Sequence, residues 1–356
     1  MKHKNLLKLV GAIVLAVVIA IAFLPGCAKE APAPTPAPAE KVYEWRFQAS
    51  GPRGGMSFST TEDLANDIEA ASGGRIKVKV FGRGEIGTEE EGFEMCASRT
   101  VEYANVTTSK FAGQVPCGEF FNGAPGMVEP LHEMLYLNQR AGRDEFMREL
   151  CLPYNVHFLG SELMDGMTLI SKEPIHTIED LTKMKIRAFG LPAELYKKLG
   201  APVVYVSFAE CYMAATTGTI DVICTTCAAM NDNKFFEPFK NVLISPWATP
   251  FLVQAHLLSL DAWNELPDDL KAIVTLAGQR HSAGKYIRAM TDSKVFITEW
   301  VDEYGVTLTT LAEEDMPAYT KAGMELWDEQ AAKDPQIAAL IELDKDFMRS
   351  HGYKVD

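Results

Sequence analysis

The sequence predicts an α/β protein. Alternating apolar residues, as in Arg75–Phe81, are typical of half-buried strands, and they recur between segments with helical spacing such as Ser57–Ala71. Gly200 and Gly218 each close a helical segment, and from Leu266 onward the pattern is helical alone. Strands that alternate with helices favour mainly parallel sheets. We therefore expect an α/β body followed by a long helical region.

The individual elements follow from local patterns along the chain. Tyr43–Ala49 alternates and is rich in β-forming residues, and Thr88–Arg99 opens on acidic residues that suit a helix N-terminus. The remaining strands are predicted at 75–81, 101–108, 156–159, 167–171, 185–189, 203–206 and 220–223. The remaining helices are predicted at 57–71, 178–181, 192–199, 209–217, 266–291, 292–304, 313–332 and 335–350.

The N-terminus predicts export from the cytoplasm. Three lysines precede an apolar run over residues 9–24, which is short for a membrane span of about 20 residues. The Leu-Pro-Gly before Cys27 resembles a bacterial lipobox, which implies cleavage before Cys27 and lipidation of its thiol. We predict a signal peptide over residues 1–26, with an uncleaved anchor as the alternative. Both alternatives place the body outside the cytoplasm, in the periplasm or at the cell surface.

Residues 27–42 predict a tether, and the body is acidic. The Ala-Pro alternation after Cys27 favours an extended chain and cannot build a core. The whole chain has a net charge of −14, and residues 1–26 contain three lysines and no acid, which leaves −17 after cleavage. Such a surface repels phosphate backbones, so we expect no nucleic-acid partner.

A glycine motif after the second strand resembles a dinucleotide fingerprint. Gly82, Gly84 and Gly87 fit G-x-G-x-x-G between a strand and a helix. A pyrophosphate at this helix N-terminus would meet the acidic residues 89–91. We therefore predict a tight strand-to-helix turn without a nucleotide.

Cys224 and Cys227 form a C-x-x-C pair after a predicted strand. Such a pair can be a redox couple, half of a metal site, or two small side chains that line a cleft. No second C-x-x-C exists, and no two histidines lie within five residues of each other. The spacing therefore predicts no metal site, while the redox and lining alternatives stay open.

Arg187 lies on the short apolar strand predicted at 185–189. On an exposed face it would be unremarkable. In a cleft, its planar guanidinium could bind a carboxylate through two parallel hydrogen bonds. Open α/β sheets bind ligands beyond the carboxyl ends of their strands, so the cleft alternative stays open beside the exposed one.

Several segments together resemble the solute-binding proteins of tripartite ATP-independent periplasmic (TRAP) transporters, most closely the branch that binds α-keto acids and related carboxylates. The matching segments are GEIGTEEE at 84–91, HTIEDLTKMKIR at 176–187, LGAP at 199–202, TGTID at 217–221 and AWNELP at 262–267. The resemblance implies a class II-like periplasmic binding fold of two lobes with crossing hinge strands. It places lobe I at 43–166 plus 253–292 and lobe II at 167–252 plus 293–356.

The resemblance also implies a ligand site between the lobes. The family arginine that grips the substrate carboxylate corresponds to Arg187. A Glu-Trp pair that helps to hold a metal-bridged ligand in the α-keto acid branch is replaced here by Cys224 and Thr225. We therefore predict no metal and no cofactor. The remaining residues expected to line the cleft are Asp165, Thr108, Ser109, Phe208 and Trp247.

The function that these observations predict is binding without catalysis. The protein would capture a small organic acid, close around it, and deliver it to the small and large membrane subunits of a TRAP permease. The alternative is a thiol–disulfide oxidoreductase that uses Cys224 and Cys227, and a third option is a sensor that presents its ligand to a receptor. Some relatives exchange the C-terminal helix between protomers, so a homodimer is left open.

Overall fold

The described part of the chain, residues 41–127, 130–245 and 248–355 of this computed structural model, contains ten strands and thirteen α-helices. The strands are β1 Tyr43–Gln48, β2 Ile76–Phe81, β3 Tyr103–Thr107, β4 Val156–Ser171, β5 Ile186–Arg187, β6 Val203–Val204, β7 Val222–Thr225, β8 Asn241–Ser245, β9 Thr249–Ser259 and β10 Thr307–Thr310. The helices are α1 Met56–Ala71, α2 Gly92–Ala97, α3 Cys117–Phe121, α4 Leu131–Gln139, α5 Arg143–Cys151, α6 Ile178–Thr182, α7 Gly190–Lys198, α8 Cys211–Thr216, α9 Cys227–Asp232, α10 Leu260–Asn264, α11 Asp268–Tyr304, α12 Met316–Ala331 and α13 Pro335–Ser350.

The predicted signal peptide, Cys27 and nearly all of the predicted tether lie outside the described residues. Val42–Asp356 forms one compact unit. Within the described ranges, no helix combines the length and the apolar character that a membrane crossing requires.

The strands form a mixed sheet in the order β2-β1-β3-β9-β4-β7-β5-β6, with β8 paired to β4 and β10 paired to β8. The outer pairs β1–β2, β1–β3, β5–β6 and β5–β7 are parallel. The central pairs that involve β4 or β9 are antiparallel. The expectation of mainly parallel sheets is therefore correct at the two outer parts and wrong in the middle.

Strand β4 belongs to both parts of this sheet. Its residues Val156–Met167 pair with β9, and its last residues Thr168–Ser171 pair with β7 and β8. The sequence predicts two separate strands here, because Ser161, Glu162 and Asp165 interrupt the apolar pattern. All three side chains are buried in internal polar contacts, so the backbone continues as one strand.

Helix α11 runs without a break for 37 residues from Asp268 to Tyr304. The prediction of two helices, at 266–291 and 292–304, is wrong in that respect. The helix contacts α1, β4 and α9 in turn, so the side that it buries changes along its length. An apolar pattern that changes direction in this way resembles a helix end when only the sequence is available.

Three strands were not predicted: β8, β9 and β10. Strand β9 has the sequence TPFLVQAHLLS, a run without strict alternation, and successive side chains are buried on both faces of the sheet. The glycine motif forms the predicted turn. Gly84 has a φ of +88°, and a Cβ on Gly82 would lie 2.7 Å from the backbone nitrogen of Arg53.

The apolar side chains form separate cores for the two parts of the sheet. Phe47 and Leu64 pack beside β1 and β3, while Phe121 and Trp327 pack on the other side of that part. Leu195 and Trp300 belong to the clusters around β5, β7 and β8. Two cores joined by β4 and β9 give the two-lobe α/β fold with crossing hinge strands. The residue bounds given above for each lobe remain a prediction.

Candidate functional site

A cleft lies between the two parts of the sheet. One cavity of about 470 Å³ is lined by residues of β4, β5, β7 and β9. A second cavity of about 630 Å³ adjoins it and extends toward the N-terminus of α1. Residues common to both walls are Arg83, Met164, Phe208, Thr226, Ala229 and Gln254. The shared walls show that the two cavities are parts of one cleft.

Arg187 lies in the wall of this cleft and is 4% exposed. Its Nε donates to the carbonyl oxygen of Val206 at 3.1 Å, and its Nη1 is buried without a hydrogen-bond partner. The guanidinium lies 5.2 Å from the ring centre of Phe189 and 5.5 Å from that of Phe208. Among the described residues, no carboxylate lies within 4 Å of it. A buried cation in this state binds an anion strongly.

The sheet topology explains why Arg187 reaches the cleft. Strands β5 and β7 are parallel neighbours, and Arg187 pairs with Ile223. Arg187 and Thr225 are the last residues of their strands, so both lie at the carboxyl edge where such sheets bind ligands. Thr226 follows and caps α9, because its Oγ1 accepts a hydrogen bond from the Ala229 N–H at 3.3 Å.

The rest of the 470 Å³ cavity is largely apolar. Met164 and Met167 come from β4 and Leu252 from β9. Tyr205 is 81% exposed at the edge of the cleft, and Phe208 is partly exposed. A buried cation beside these apolar side chains suits a small ligand with a carboxylate and an apolar portion.

The opposite wall carries polar side chains held by internal hydrogen bonds. Gln254 of β9 donates to Ser50 Oγ at 2.9 Å and to Thr107 Oγ1 at 3.3 Å. Arg83 and Lys110 also line the cleft, and the Lys110 ammonium binds Glu90 at 2.7 Å. Arg83 therefore adds positive charge to the cleft wall, while the charge of Lys110 is balanced by Glu90.

Three of the predicted site residues meet in the cleft: Arg187, Thr225 and Phe208. Trp247 lies outside the described residues. Ser109 is half-buried and is not part of either cavity wall. The other three predicted residues, Cys224, Asp165 and Thr108, lie behind the walls.

Cys224 does not line the cleft, which corrects the prediction. Side chains alternate along β7, so Thr225 faces the cleft while Cys224 points into the core with Leu169 and Tyr196. Burial raises the pKa of the Cys224 thiol to about 12, and it raises that of Cys227 to about 12 as well. A reactive redox pair needs the opposite shift. The structure therefore gives no support to the oxidoreductase alternative.

Asp165 was also expected in the cleft, and this too is corrected. Its Oδ2 accepts hydrogen bonds from the Cys227 N–H at 3.0 Å and from Ser293 Oγ at 3.2 Å. Burial raises the pKa of this carboxyl group to about 6. Asp165 thus joins β4 to the start of α9 and to α11, and it holds the helix that forms one wall of the cleft.

Thr108 is fully buried and donates to the Val253 carbonyl oxygen at 3.3 Å. It therefore ties the end of β3 to β9 and does not face a ligand. Met164, Leu252 and Gln254 do line the cleft and were missed. The middle of β4 and all of β9 were not predicted as strands, so no register was available to place their side chains.

The comparisons with known proteins agree with this architecture. The family model for bacterial extracellular solute-binding proteins, family 7 (DctP), matches residues 48–334. A monocarboxylate 2-oxoacid-binding periplasmic protein of Nostoc sp. is 23% identical over 308 residues, which cover 86% of this chain and 84% of that protein.

Solved structures show the same fold. A TRAP periplasmic solute-binding protein from Pseudoalteromonas atlantica, with bound sodium and pyruvate, has a TM-score of 0.76 at 23% identity and covers 87% of this chain and 95% of its own. One from Marinobacter aquaeolei, in an open state without ligand, has a TM-score of 0.77 at 20% identity and covers 85% and 99%. The chain therefore belongs to the DctP family of bacterial extracellular solute-binding proteins, the solute-binding proteins of TRAP transporters.

Proposed function

We propose that this protein captures a small monocarboxylate in its interlobe cleft, with Arg187 as the carboxylate-binding residue. The observation that carries the proposal is a guanidinium that is 4% exposed, has an unpartnered Nη1 and borders a cavity of about 470 Å³. Burying such a charge is costly unless a counter-ion joins it. A ligand carboxylate supplies that counter-ion.

The surroundings of Arg187 select among acids. Phe189 and Phe208 hold the guanidinium plane, and Met164, Met167 and Leu252 form an apolar wall for the remainder of the ligand. Since Asp165 lies behind the wall, no carboxylate among the described residues lines the 470 Å³ cavity around Arg187, and nothing there requires an ammonium group on the ligand. We expect 2-oxo acids and other monocarboxylates with an apolar body to bind more tightly than amino acids or dicarboxylates.

The experiment is a calorimetric titration of the purified protein with a panel of acids. The panel contains pyruvate and longer 2-oxo acids, lactate, benzoate, succinate and amino acids, each with and without Na⁺ or Ca²⁺. Arg187→Ala should weaken binding of the best acid at least about 30-fold, because truncating one member of a buried charge pair costs about 2–5 kcal/mol.

Two matched variants complete this test. Arg349→Ala removes an exposed arginine of α13 that binds Glu342 and Asp346, and it should leave ligand affinity unchanged. Cys227→Ser should also retain ligand binding, because Cys227 is buried behind the wall of the cleft. Equal affinity of Arg187→Ala and the unchanged protein for every acid would contradict the proposal.

The proposal includes a lipid anchor at Cys27 and delivery to the membrane subunits of a TRAP permease. It rests on the lipobox-like sequence and on family membership. In cells that express the protein, labelled palmitate should be incorporated and the protein should sediment with membranes. Cys27→Ala should abolish both. Uptake of the bound acid should require the co-expressed permease subunits. Uptake without these subunits would contradict the proposal that the protein delivers its ligand to the permease.

A further inference from the structure

A second group of buried polar side chains lies where β4, β9 and α11 meet. Glu162 of β4, His256 of β9 and His281 of α11 are 0%, 1% and 8% exposed. One nitrogen or oxygen atom of each lies within 4.8 Å of the corresponding atoms of the other two. We call these three residues the Glu-His-His cluster. The proposed carboxylate capture makes no use of it.

Contacts outside the cluster orient both imidazole rings. His281 Nε2 lies 2.5 Å from the Thr60 carbonyl oxygen, which can only accept, so Nε2 carries the hydrogen. In the neutral ring, the Nδ1 lone pair then points at Glu162 Oε2. His256 Nδ1 lies 2.6 Å from the Tyr103 hydroxyl, which leaves its Nε2 directed at the same oxygen. Outer partners of this kind are typical of metal-binding histidines.

The distances within the cluster fit metal ligands better than hydrogen bonds. His256 Nε2 is 3.5 Å and His281 Nδ1 is 3.6 Å from Glu162 Oε2, and neither nitrogen has a hydrogen-bond partner. An N–H···O hydrogen bond would measure about 2.7–3.2 Å. Two ligands that each lie about 2.0–2.1 Å from a tetrahedral Zn²⁺ ion are roughly 3.4 Å apart. Small side-chain adjustments would therefore suffice for binding.

Both oxygen atoms of the Glu162 carboxylate contact other side chains. Oε1 forms an ion pair with the Lys285 ammonium, which also donates to Gln254 at 2.7 Å. Oε2 accepts from Asn105 Nδ2 at 2.9 Å and faces both histidines. An ionised carboxylate has about four lone-pair sites, so Oε2 retains one for a cation on the histidine side. The ammonium of Lys285 stays on the other oxygen.

The cluster has a route to solvent. A cavity of about 360 Å³ between α1 and α11 has His281 and Lys285 in its wall, together with Asp63 and Asp67. The Asp63 carboxylate at this entrance can attract a cation, while Asp67 forms an ion pair with Arg280. Arg280 and Arg288 stand at the same cavity, so the attraction is confined to the side of α1.

We infer that Glu162, His256 and His281 form a binding site for a divalent transition-metal ion, with Zn²⁺ as the ion that best suits two imidazoles and one carboxylate. The site is separate from the C-x-x-C pair and from Arg187. The ion would join β4, β9 and α11, the elements that connect the two lobes. Through Lys285 and Gln254, this junction also contacts the wall of the ligand cleft.

The test uses tag-free protein that has been treated with a chelator and then exchanged into chelator-free buffer. Titration with Zn²⁺ should show one site per chain, and mass spectrometry of the metal content should find one equivalent after gel filtration. Co²⁺ in place of Zn²⁺ should give the intense visible absorption of a tetrahedral site. His281→Ala should weaken binding about 100-fold or more, since outer partners alone contribute 10- to 100-fold.

Tyr103→Phe provides a milder variant that keeps the ring and removes only the hydroxyl contact to His256. It should weaken Zn²⁺ binding about tenfold. His157→Gln is the matched control, because His157 is also buried but stacks on Trp263 away from the cluster, and it should bind Zn²⁺ normally. The inference is overturned if the unchanged protein binds no stoichiometric metal, or if binding survives both His281→Ala and Tyr103→Phe.

Discussion

Arg143 and Arg187 are both buried arginines beside an aromatic ring, but Arg143 has a carboxylate partner and Arg187 has none among the described residues. Arg143 is fully buried in the core around α5, 4.2 Å from the ring centre of Phe121, and its Nε lies 3.1 Å from Asp344 Oδ1. Arg187 lies between two rings with a backbone carbonyl oxygen and no carboxylate among the described residues.

On this difference we base the expectation that Arg143 stabilises the fold, whereas Arg187 takes part in the proposed ligand binding. Removing two charges from water is tolerated when they neutralise each other, as Arg143 and Asp344 do within the folded chain. For Arg187 the described part of the chain supplies aromatic faces and one hydrogen bond, which supports the proposal that a ligand provides the neutralising group. Truncation of Arg143 should therefore affect folding, and truncation of Arg187 should affect binding.

The largest effect is expected at Arg143. Arg143→Ala leaves Asp344 buried without its cation, which should lower the free energy of unfolding by about 3–5 kcal/mol. Denaturant titration measures this loss. The double variant Arg143→Leu with Asp344→Leu removes both charges and should recover most of the stability. A double variant as unstable as the single one would contradict the view that the unpaired charge is the cause.

Asp165 provides an intermediate case, a buried carboxylate that has hydrogen bonds but no cationic partner among the described residues. Its pKa is raised from the ordinary 3.8 to about 6, because burial disfavours the charged form. The folded state therefore holds a proton that the unfolded state loses. Between about pH 4 and pH 6 this group should lower the free energy of unfolding by roughly 3 kcal/mol as pH rises.

The comparison of pH profiles tests this expectation. Asp165→Asn keeps an oxygen that can accept from the Cys227 N–H but cannot ionise. Thermal unfolding recorded from pH 4 to pH 7 should show a smaller decline with rising pH for the variant than for the unchanged protein. Parallel profiles would mean that Asp165 does not titrate in this range.

Arg187→Lys keeps the charge and removes the planar guanidinium. An ammonium cannot bind a carboxylate through two parallel hydrogen bonds, and it stacks less well between Phe189 and Phe208. We expect the affinity for the best acid to fall about tenfold, or roughly 1.4 kcal/mol. Without ligand, the variant should melt at nearly the same temperature as the unchanged protein. A loss of stability without a loss of affinity would mean that Arg187 has a structural role like that of Arg143, and it would contradict a role in ligand binding.

The smallest effect is expected at Phe208. Phe208→Leu removes one aromatic face from the Arg187 guanidinium and should weaken acid binding by about 0.5–1 kcal/mol, a few-fold change. Calorimetry of the same acid measures it. Tyr136→Leu, at an aromatic residue of α4 that is 54% exposed, serves as the control and should leave affinity unchanged.

The sequence could identify Arg187 because a recognisable segment contains it, and because a cation in a largely apolar strand is unusual. It could not assign Cys224 and Thr225 to opposite faces, since a single residue of register decides which one meets the cleft. It could not find Gln254, because β9 is covered on both faces and lacks alternation. Glu162, His256 and His281 are far apart in the chain, and the pairing of β4 with β9 and the packing of α11 on β4 bring them together.

The strand order also determines when the molecule can fold. Strand β9 lies between β3 and β4, although it follows both of them by many residues along the chain. Until Ser259 is available, β3 and β4 have no shared neighbour and the first half of the sheet is split. The junction between the two parts of the sheet therefore cannot form until about three quarters of the chain has been synthesised.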